Sequence, residues 1–216
     1  MPLVYQQNIN PQTSLGVWQI TEEESFFLKE VPLERDITHP HKRLQHLAGR
    51  YLLKVLYPNF PYELIRIAAT RKPYLANEAC HFSISHCADY AAVVISETYR
   101  VGVDVEKVTE RVHRVRHKFM DSQEIQLLEQ LAAAGICDLT TLLTVCWSMK
   151  ESLFKWYGSG ELDFKEHLHI ESMNWQDMQG TAQCMVSKET NTLLNIPFRI
   201  MSNLCLSWVY SEPPSL

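Results

Sequence analysis

A long amphipathic helix followed by a block of strands occurs twice along this chain, and that repetition constrains the fold more than any single residue does. Asp36 to Tyr57 carries Leu44, Leu47, Tyr51, Leu52 and Val55 at helical spacing, and Pro58 ends the run. A shorter helix precedes it, opened by Thr21-Glu22-Glu23-Glu24 read as a capping box. Four β-branched and aromatic runs follow, Leu64 to Ala69, His81 to Ile84, Tyr90 to Ser96 and Val101 to Glu106, and their short connections predict one antiparallel sheet. In the second half Asp121 with Glu124 opens a Leu- and Ala-rich helix ending near Gly135. A longer helix, Asp138 to Tyr157, is closed by Gly158-Ser159-Gly160. Strands return at His169, Thr181 to Ser187, Ile196 to Met201 and Leu204 to Tyr210. The predicted class is α+β, in two similar helix-plus-antiparallel-sheet halves, 1–106 and 107–216. Ala91 to Glu97 and Leu206 to Glu212 share a pattern, as an internal duplication requires. No Pro/Gly/Ser-rich linker separates the halves, so tight packing with a ligand cleft between them is expected.

Composition narrows the function classes. A chain of 216 residues that is 46% hydrophobic with only 7 Gly is not disordered, collagenous or low-complexity. Twenty Lys and Arg against 25 Asp and Glu give 20 − 25 = −5, which argues against a protein that grips nucleic acid over its whole surface. One strip departs from that balance: Lys107, Arg111, Arg114, Arg116 and Lys118 stand against the single acid Glu110. It reads either as a docking site for an anionic partner or as a solvated helix face. The six cysteines form no C-x-x-C pair, so neither a zinc knuckle nor a disulfide framework is indicated. The residues from Met1 to Gln7 lack the features of a signal peptide, and no apolar run approaches the about 18 residues of a membrane span. A cytoplasmic protein is expected, with no membrane and no nucleic acid partner.

Three segments carry chemistry. In Val101-Gly102-Val103-Asp104-Val105-Glu106, the i and i+2 side chains of a strand share a face about 6.6 Å apart, so Asp104 and Glu106 point together while Gly102 leaves room for a close approach. Two such acids repel unless a cation neutralises them, and Mg²⁺ suits one or two carboxylates with phosphates and water; the alternative is an edge strand ending in water. In Trp147-Ser148-Met149-Lys150-Glu151-Ser152-Leu153-Phe154-Lys155, helical spacing lines up Trp147, Lys150, Glu151 and Lys155. That stripe is either an i,i+4 Glu-Lys pair or a carboxylate between two lysines able to meet metal and phosphate together. In Arg71-Lys72-Pro73-Tyr74 and Phe82-Ser83-Ile84-Ser85-His86, Lys72 is held extended by Pro73 to clamp a phosphate, with Ser85 and His86 adding hydrogen bonds. A Ser-His nucleophile is disfavoured, because adjacent strand residues face opposite ways.

Taken in order, these motifs with Glu124 between the second and third sheet-and-helix segments resemble the 4′-phosphopantetheinyl transferases of the longer, surfactin-synthetase-activating type, over about residues 43 to 160. The resemblance implies a pseudo-dimeric, monomeric α+β enzyme that binds coenzyme A and Mg²⁺ and moves the phosphopantetheine arm to a serine of an acyl or peptidyl carrier protein, leaving adenosine 3′,5′-bisphosphate. It implies Asp104, Glu106 and Glu151 as metal ligands, with Glu151 also the base for the carrier serine and Lys150 and Lys155 countering phosphate charge. Lys72 and His86 would take the 3′-phosphate, Ser85 and Pro73 would line the nucleotide, and Arg50, or Arg43 in its place, would add a phosphate contact. Glu124 is left open between a base and a support of the fold, and Ser152 stands where alanine is common. The basic strip would receive an acidic carrier helix. Two other readings compete: a Mg²⁺-dependent nuclease or phosphohydrolase built on Asp104, Glu106 and Lys107, and a carrier-binding protein without catalysis.

Overall fold

The structure, a computed structural model, describes residues 2–33 and 36–212. Met1, where the leader-free reading of the N-terminus begins, lies outside them. Residue contacts divide the chain into two compact units, one running to Val101 and resuming at Tyr210, the other from Gly102 to Val209. The expected division at 106/107 lies within the same strand as the observed change at 101/102.

The first unit contains β1 (Leu3–Asn10), β2 (Thr13–Gln19), α1 (Glu24–Leu28), α2 (Pro40–Leu56), β3 (Ile65–Ile67), β4 (Pro73–Leu75), β5 (His81–Cys87) and β6 (Tyr90–Ser96). Its main sheet has the order β1-β2-β6-β5, antiparallel throughout, and α2 buries Leu47, Ala48, Leu52 and Leu53 against Trp18, Phe82, Ala91 and Val93. The helix starts at Pro40, not Asp36, because proline is suited to the first helical position and forces the residue before it out of the helical region. His39 accordingly stays extended and caps Lys42 N through its ring. The Thr21–Glu24 capping box does not form. Glu23 is the N-cap of α1, without a side-chain bond. Glu24 is drawn instead to Arg43 at 2.8 Å, and Glu22 accepts from Trp18 Nε1 at 3.2 Å.

The second unit is built from β7 (Arg100–Lys107), α3 (Arg111–Val115), α4 (Ser122–Ala133), α5 (Leu139–Tyr157), β8 (Leu168–Gln176), β9 (Gln179–Ser187), β10 (Asn191–Met201) and β11 (Leu204–Ser211), in a sheet ordered β7-β11-β10-β9-β8. Asp138 caps α5, accepting from Thr141 N at 3.0 Å, and Gly158 ends it in the left-handed region at φ 69. Asp121 and Glu124 do form a reciprocal capping box at α4. The four runs expected to share one sheet fall into three: β3 pairs only with β4, β5 and β6 join β2, and β7 joins β11. The partners that divide them, β2 and β11, lie far away in sequence, where connection length gives no guidance.

Mixed α and β structure thus occupies both halves. In each, the strand before the helices is the sheet neighbour of the last strand, β2 of β6 and β7 of β11. Those last strands hold the two segments of similar sequence pattern, Ala91 to Glu97 and Leu206 to Glu212. Among the described residues no helix is long and apolar enough to cross a membrane, and the six cysteines are unbridged.

Gly102 sets the distance between β7 and α5. A Cβ there would overlap the Ser152 carbonyl oxygen and lie 2.7 Å from Trp156 N, so the two backbones touch where only hydrogen fits. Gly102→Ala is expected to destabilise the protein by about 2–4 kcal/mol, because backbone cannot step aside as a flexible side chain can. Thermal unfolding checks this; an unchanged midpoint would contradict the close approach.

Candidate functional site

The face of β7 that turns to α5 is the one carrying Gly102, Asp104 and Glu106, alternate residues of one strand. Asp104 is 2% exposed, and its Oδ1 receives Lys155 Nζ at 2.6 Å. Glu106 Oε1 accepts from Trp147 Nε1 at 3.3 Å. Trp147 is held by Phe119 and Phe164, with ring centroids at 5.1 and 5.5 Å. Glu151 sits among these groups. Burial pushes its carboxyl up to about 7; Lys155 opposes the shift, and the charges of Asp104 and Glu106 add to it. Three carboxylates and one ammonium therefore share a partly dry cluster, all within the second unit.

Lys150 does not join it. Its side chain has no exposed surface, and Nζ donates to Phe119 O at 2.6 Å, to Phe164 O at 3.0 Å and to Glu124 at 2.7–2.8 Å. Glu124 in turn accepts from Ile170 N and Asp121 N, each at 3.0 Å. The stripe read from helical spacing splits: Trp147, Glu151 and Lys155 turn to β7, while Lys150 turns inward to α4 and β8. Lys155 places its ammonium on Asp104 at 2.6 Å, and its charge also acts on Glu151. Ser152, fully buried, bonds Ser207 Oγ at 2.7 Å and Ser207 O at 3.0 Å, a use that alanine could not serve.

The donor set suits a hard divalent cation in kind: three carboxylates whose mutual repulsion a 2+ charge would relieve. Its geometry is not closed. Among the described residues no three His, Cys, Asp or Glu groups stand in metal-holding arrangement, and the ammonium of Lys155 lies on Asp104.

In the first unit, Lys72 and Pro73 line a cavity of about 520 Å³ together with His81, Arg100, Glu78 and Tyr74. Burial, with the charge of Arg100 adding to it, lowers the Lys72 ammonium to about 8. His81 is lowered as well, first by burial, against an upward pull from Glu78. Lys72 and Arg100 thus bring positive charge to this cavity beside the acid Glu78. Arg100, His81 and Glu78 were not singled out in the sequence, and no motif marks them; only the fold brings the start of β7 beside β4. Ser85 and His86 fall on opposite faces of β5. Ser85 is buried, while His86 is exposed beside Gly49 of α2, where a Cβ would come within 2.8 Å of its Nε2. Arg50 is 3% exposed and its carbonyl accepts from Tyr62 Oη at 2.7 Å, whereas Arg43 is engaged by Glu24. The basic strip forms α3 and a 3-10 turn at Arg116–Lys118, with Arg111, Arg114 and Lys118 exposed and Val112 buried.

The raised carboxyl of Glu151 makes stability depend on pH. The folded state keeps this proton up to about pH 7, whereas the unfolded chain releases it near the ordinary 4.5. Stability is therefore lost as pH rises through that interval. In metal-free protein, Glu151→Gln should gain about 1–2 kcal/mol on wild type in going from pH 4.5 to 8, after allowance for its partial exposure. Denaturant titrations at both pH values check this; an equal difference at the two would contradict the clustering of the three acids.

Residues 100–201, which hold the whole cluster, match the family described as ACPS: 4′-phosphopantetheinyl transferase superfamily. The chain is 29% identical over 116 residues to enterobactin synthase component D of Salmonella typhimurium and 33% identical over 115 residues to that of Salmonella austin. It is 30% identical over 116 residues to the 4′-phosphopantetheinyl transferase gsp of Aneurinibacillus migulanus. Each match covers 53% of this chain and 46–47% of the relative, so the chain spans about half the length of the curated relatives it matches. Through this segment, with its acid strand β7 and its acid-and-lysine helix α5, the chain is similar to the 4′-phosphopantetheinyl transferase superfamily.

Proposed function

We propose that the chain transfers the 4′-phosphopantetheine group of coenzyme A to a serine of an acyl or peptidyl carrier protein, with Mg²⁺, and releases adenosine 3′,5′-bisphosphate. The observation that carries this reading is the cluster of Asp104, Glu106, Glu151 and Lys155 inside the segment matching the superfamily. It acts as a monomer in the cytoplasm.

The serine oxygen attacks the β-phosphorus, the bond from that phosphorus to the bridging oxygen breaks, and the nucleotide leaves with the electron pair. Such a transfer needs positioning and charge stabilisation above all. Asp104, Glu106 and Glu151 would hold Mg²⁺, whose charge when bound neutralises the pyrophosphate oxygens. Glu151 would also accept the serine proton, directly or through water. Lys155 supplies positive charge to the phosphate oxygens, while Trp147 fixes the carboxylate of Glu106. Lys150 acts at one remove, holding α5 through Glu124 and leaving phosphate charge to Lys155. Lys72 receives the 3′-phosphate, with His86, Ser85, Pro73 and Arg50 around the nucleotide; Arg43, tied to Glu24, is left out. Arg111, Arg114 and Arg116 offer an acidic carrier an attractive surface.

The test is intact-mass analysis of apo carrier proteins incubated with the chain, coenzyme A and Mg²⁺. The expected result is the gain of one phosphopantetheine group with release of one adenosine 3′,5′-bisphosphate. Asp104→Ala should abolish that gain while the protein remains folded. Carrier affinity with no mass gain would instead favour a binding protein, and nicked DNA a nuclease. Lys72→Ala should raise the KM for coenzyme A more than it lowers kcat, because the 3′-phosphate is remote from the reacting phosphorus. Should the variant still prefer coenzyme A over its dephospho form as strongly as wild type, Lys72 is not reading that phosphate.

A further inference from the structure

The two lysines of α5 are both paired with carboxylates, yet their surroundings differ. Lys150 is enclosed, its side chain 0% exposed and bonded to two carbonyls as well as to Glu124. Lys155 lies in the last turn of α5 with its side chain 24% exposed, while the Asp104 side chain it meets is 3% exposed. A long, flexible ammonium stem at the rim of a buried carboxylate can leave it; one enclosed by three oxygen-bearing groups cannot. An ammonium at 2.6 Å from Asp104 also excludes a second cation from that oxygen. The carboxylates of the cluster accordingly stand outside metal-holding geometry.

We propose that Lys155 is an internal counter-ion for the metal site, neutralising Asp104 in the substrate-free protein and transferring its charge to the pyrophosphate of incoming coenzyme A, which opens Asp104 to the divalent cation. This rests on the transferase reading above. The free protein then binds the metal weakly, and metal and coenzyme A each strengthen the binding of the other by the same factor, as linkage requires. The device keeps the buried acid neutralised at every stage, since Asp104 exchanges one cation for another and is never left uncompensated.

The test is calorimetric titration of the full-length chain with Mn²⁺, read as metal affinity and not as turnover. Lys155→Gln, without coenzyme A, should bind Mn²⁺ at least about tenfold more tightly than wild type, and Asp104→Asn in the same background should remove that gain. Wild type should recover the tighter affinity once coenzyme A is present. Circular dichroism verifies the fold, and Lys155→Met repeats the measurement should Lys155→Gln not fold. If Lys155→Gln and wild type bind Mn²⁺ equally, in an Asp104-dependent manner, the counter-ion role is overturned while the metal site stands. If no variant binds Mn²⁺ with or without coenzyme A, the metal reading falls and takes this proposal with it.

Discussion

An ammonium with no exposed surface has to be neutralised where it lies, and Lys150 is neutralised by Glu124. Breaking such a pair by removing one partner costs about 3–5 kcal/mol, because the other charge stays buried and uncompensated. Glu124 also accepts from Asp121 N and Ile170 N, and Lys150 donates to Phe119 O and Phe164 O. A single ion pair thereby ties α5 to the start of α4, to β8 and to the loop after α5. It fixes the rotation of α5 about its own axis, and with it the direction in which every other side chain of that helix points.

From this rotation the chemistry of the second unit follows. With Lys150 inward, Trp147, Glu151 and Lys155 face β7, whose Gly102 permits contact and whose Asp104 and Glu106 project from the same strand face. The inward side of the helix carries the Lys150–Glu124 pair, and the β7 side carries Glu151 and Lys155 beside Asp104 and Glu106. Burial raises the carboxyl of Glu151 there, and the charges of Asp104 and Glu106 add to the shift against the pull of Lys155. Charge in excess within a partly dry site is the condition in which a protein binds a counter-ion or holds a proton for transfer. The cavity at Lys72 and Arg100, in the first unit, gathers positive charge beside the acid Glu78.

Much of this was legible in the sequence. Local rules sufficed wherever the partner was near along the chain: the capping box of Asp121 and Glu124, the Asp138 cap, the Gly158 stop, and the shared face of Asp104 and Glu106. They failed where the partner was remote. In β1 polar and apolar residues mix on both faces, with Val4, Gln6 and Asn8 exposed and Leu3, Tyr5, Gln7 and Ile9 half-buried, so alternation gives no signal. The strand that decides the sheet is its neighbour β2, through its pairing with β6. Lys150 stood in line with Glu151 by helical spacing, yet neighbours a hundred degrees apart around a helix serve different sides, and only α4 and β8 show which. Glu24 lost its capping role to an arginine 19 residues away. Arg100 carries no motif and becomes notable only beside Lys72.

A double-mutant cycle on Lys150 and Glu124, with Lys150→Met, Glu124→Gln and the pair measured by denaturant unfolding, tests the orientation of α5 most directly. If the pair is the buried clamp described, each single change costs several kcal/mol and the double costs clearly less than their sum, a coupling of about 2 kcal/mol or more. Additivity within about 0.5 kcal/mol would mean that the two side chains do not meet, and that Lys150 is free to turn with Glu151 and Lys155 toward the phosphates.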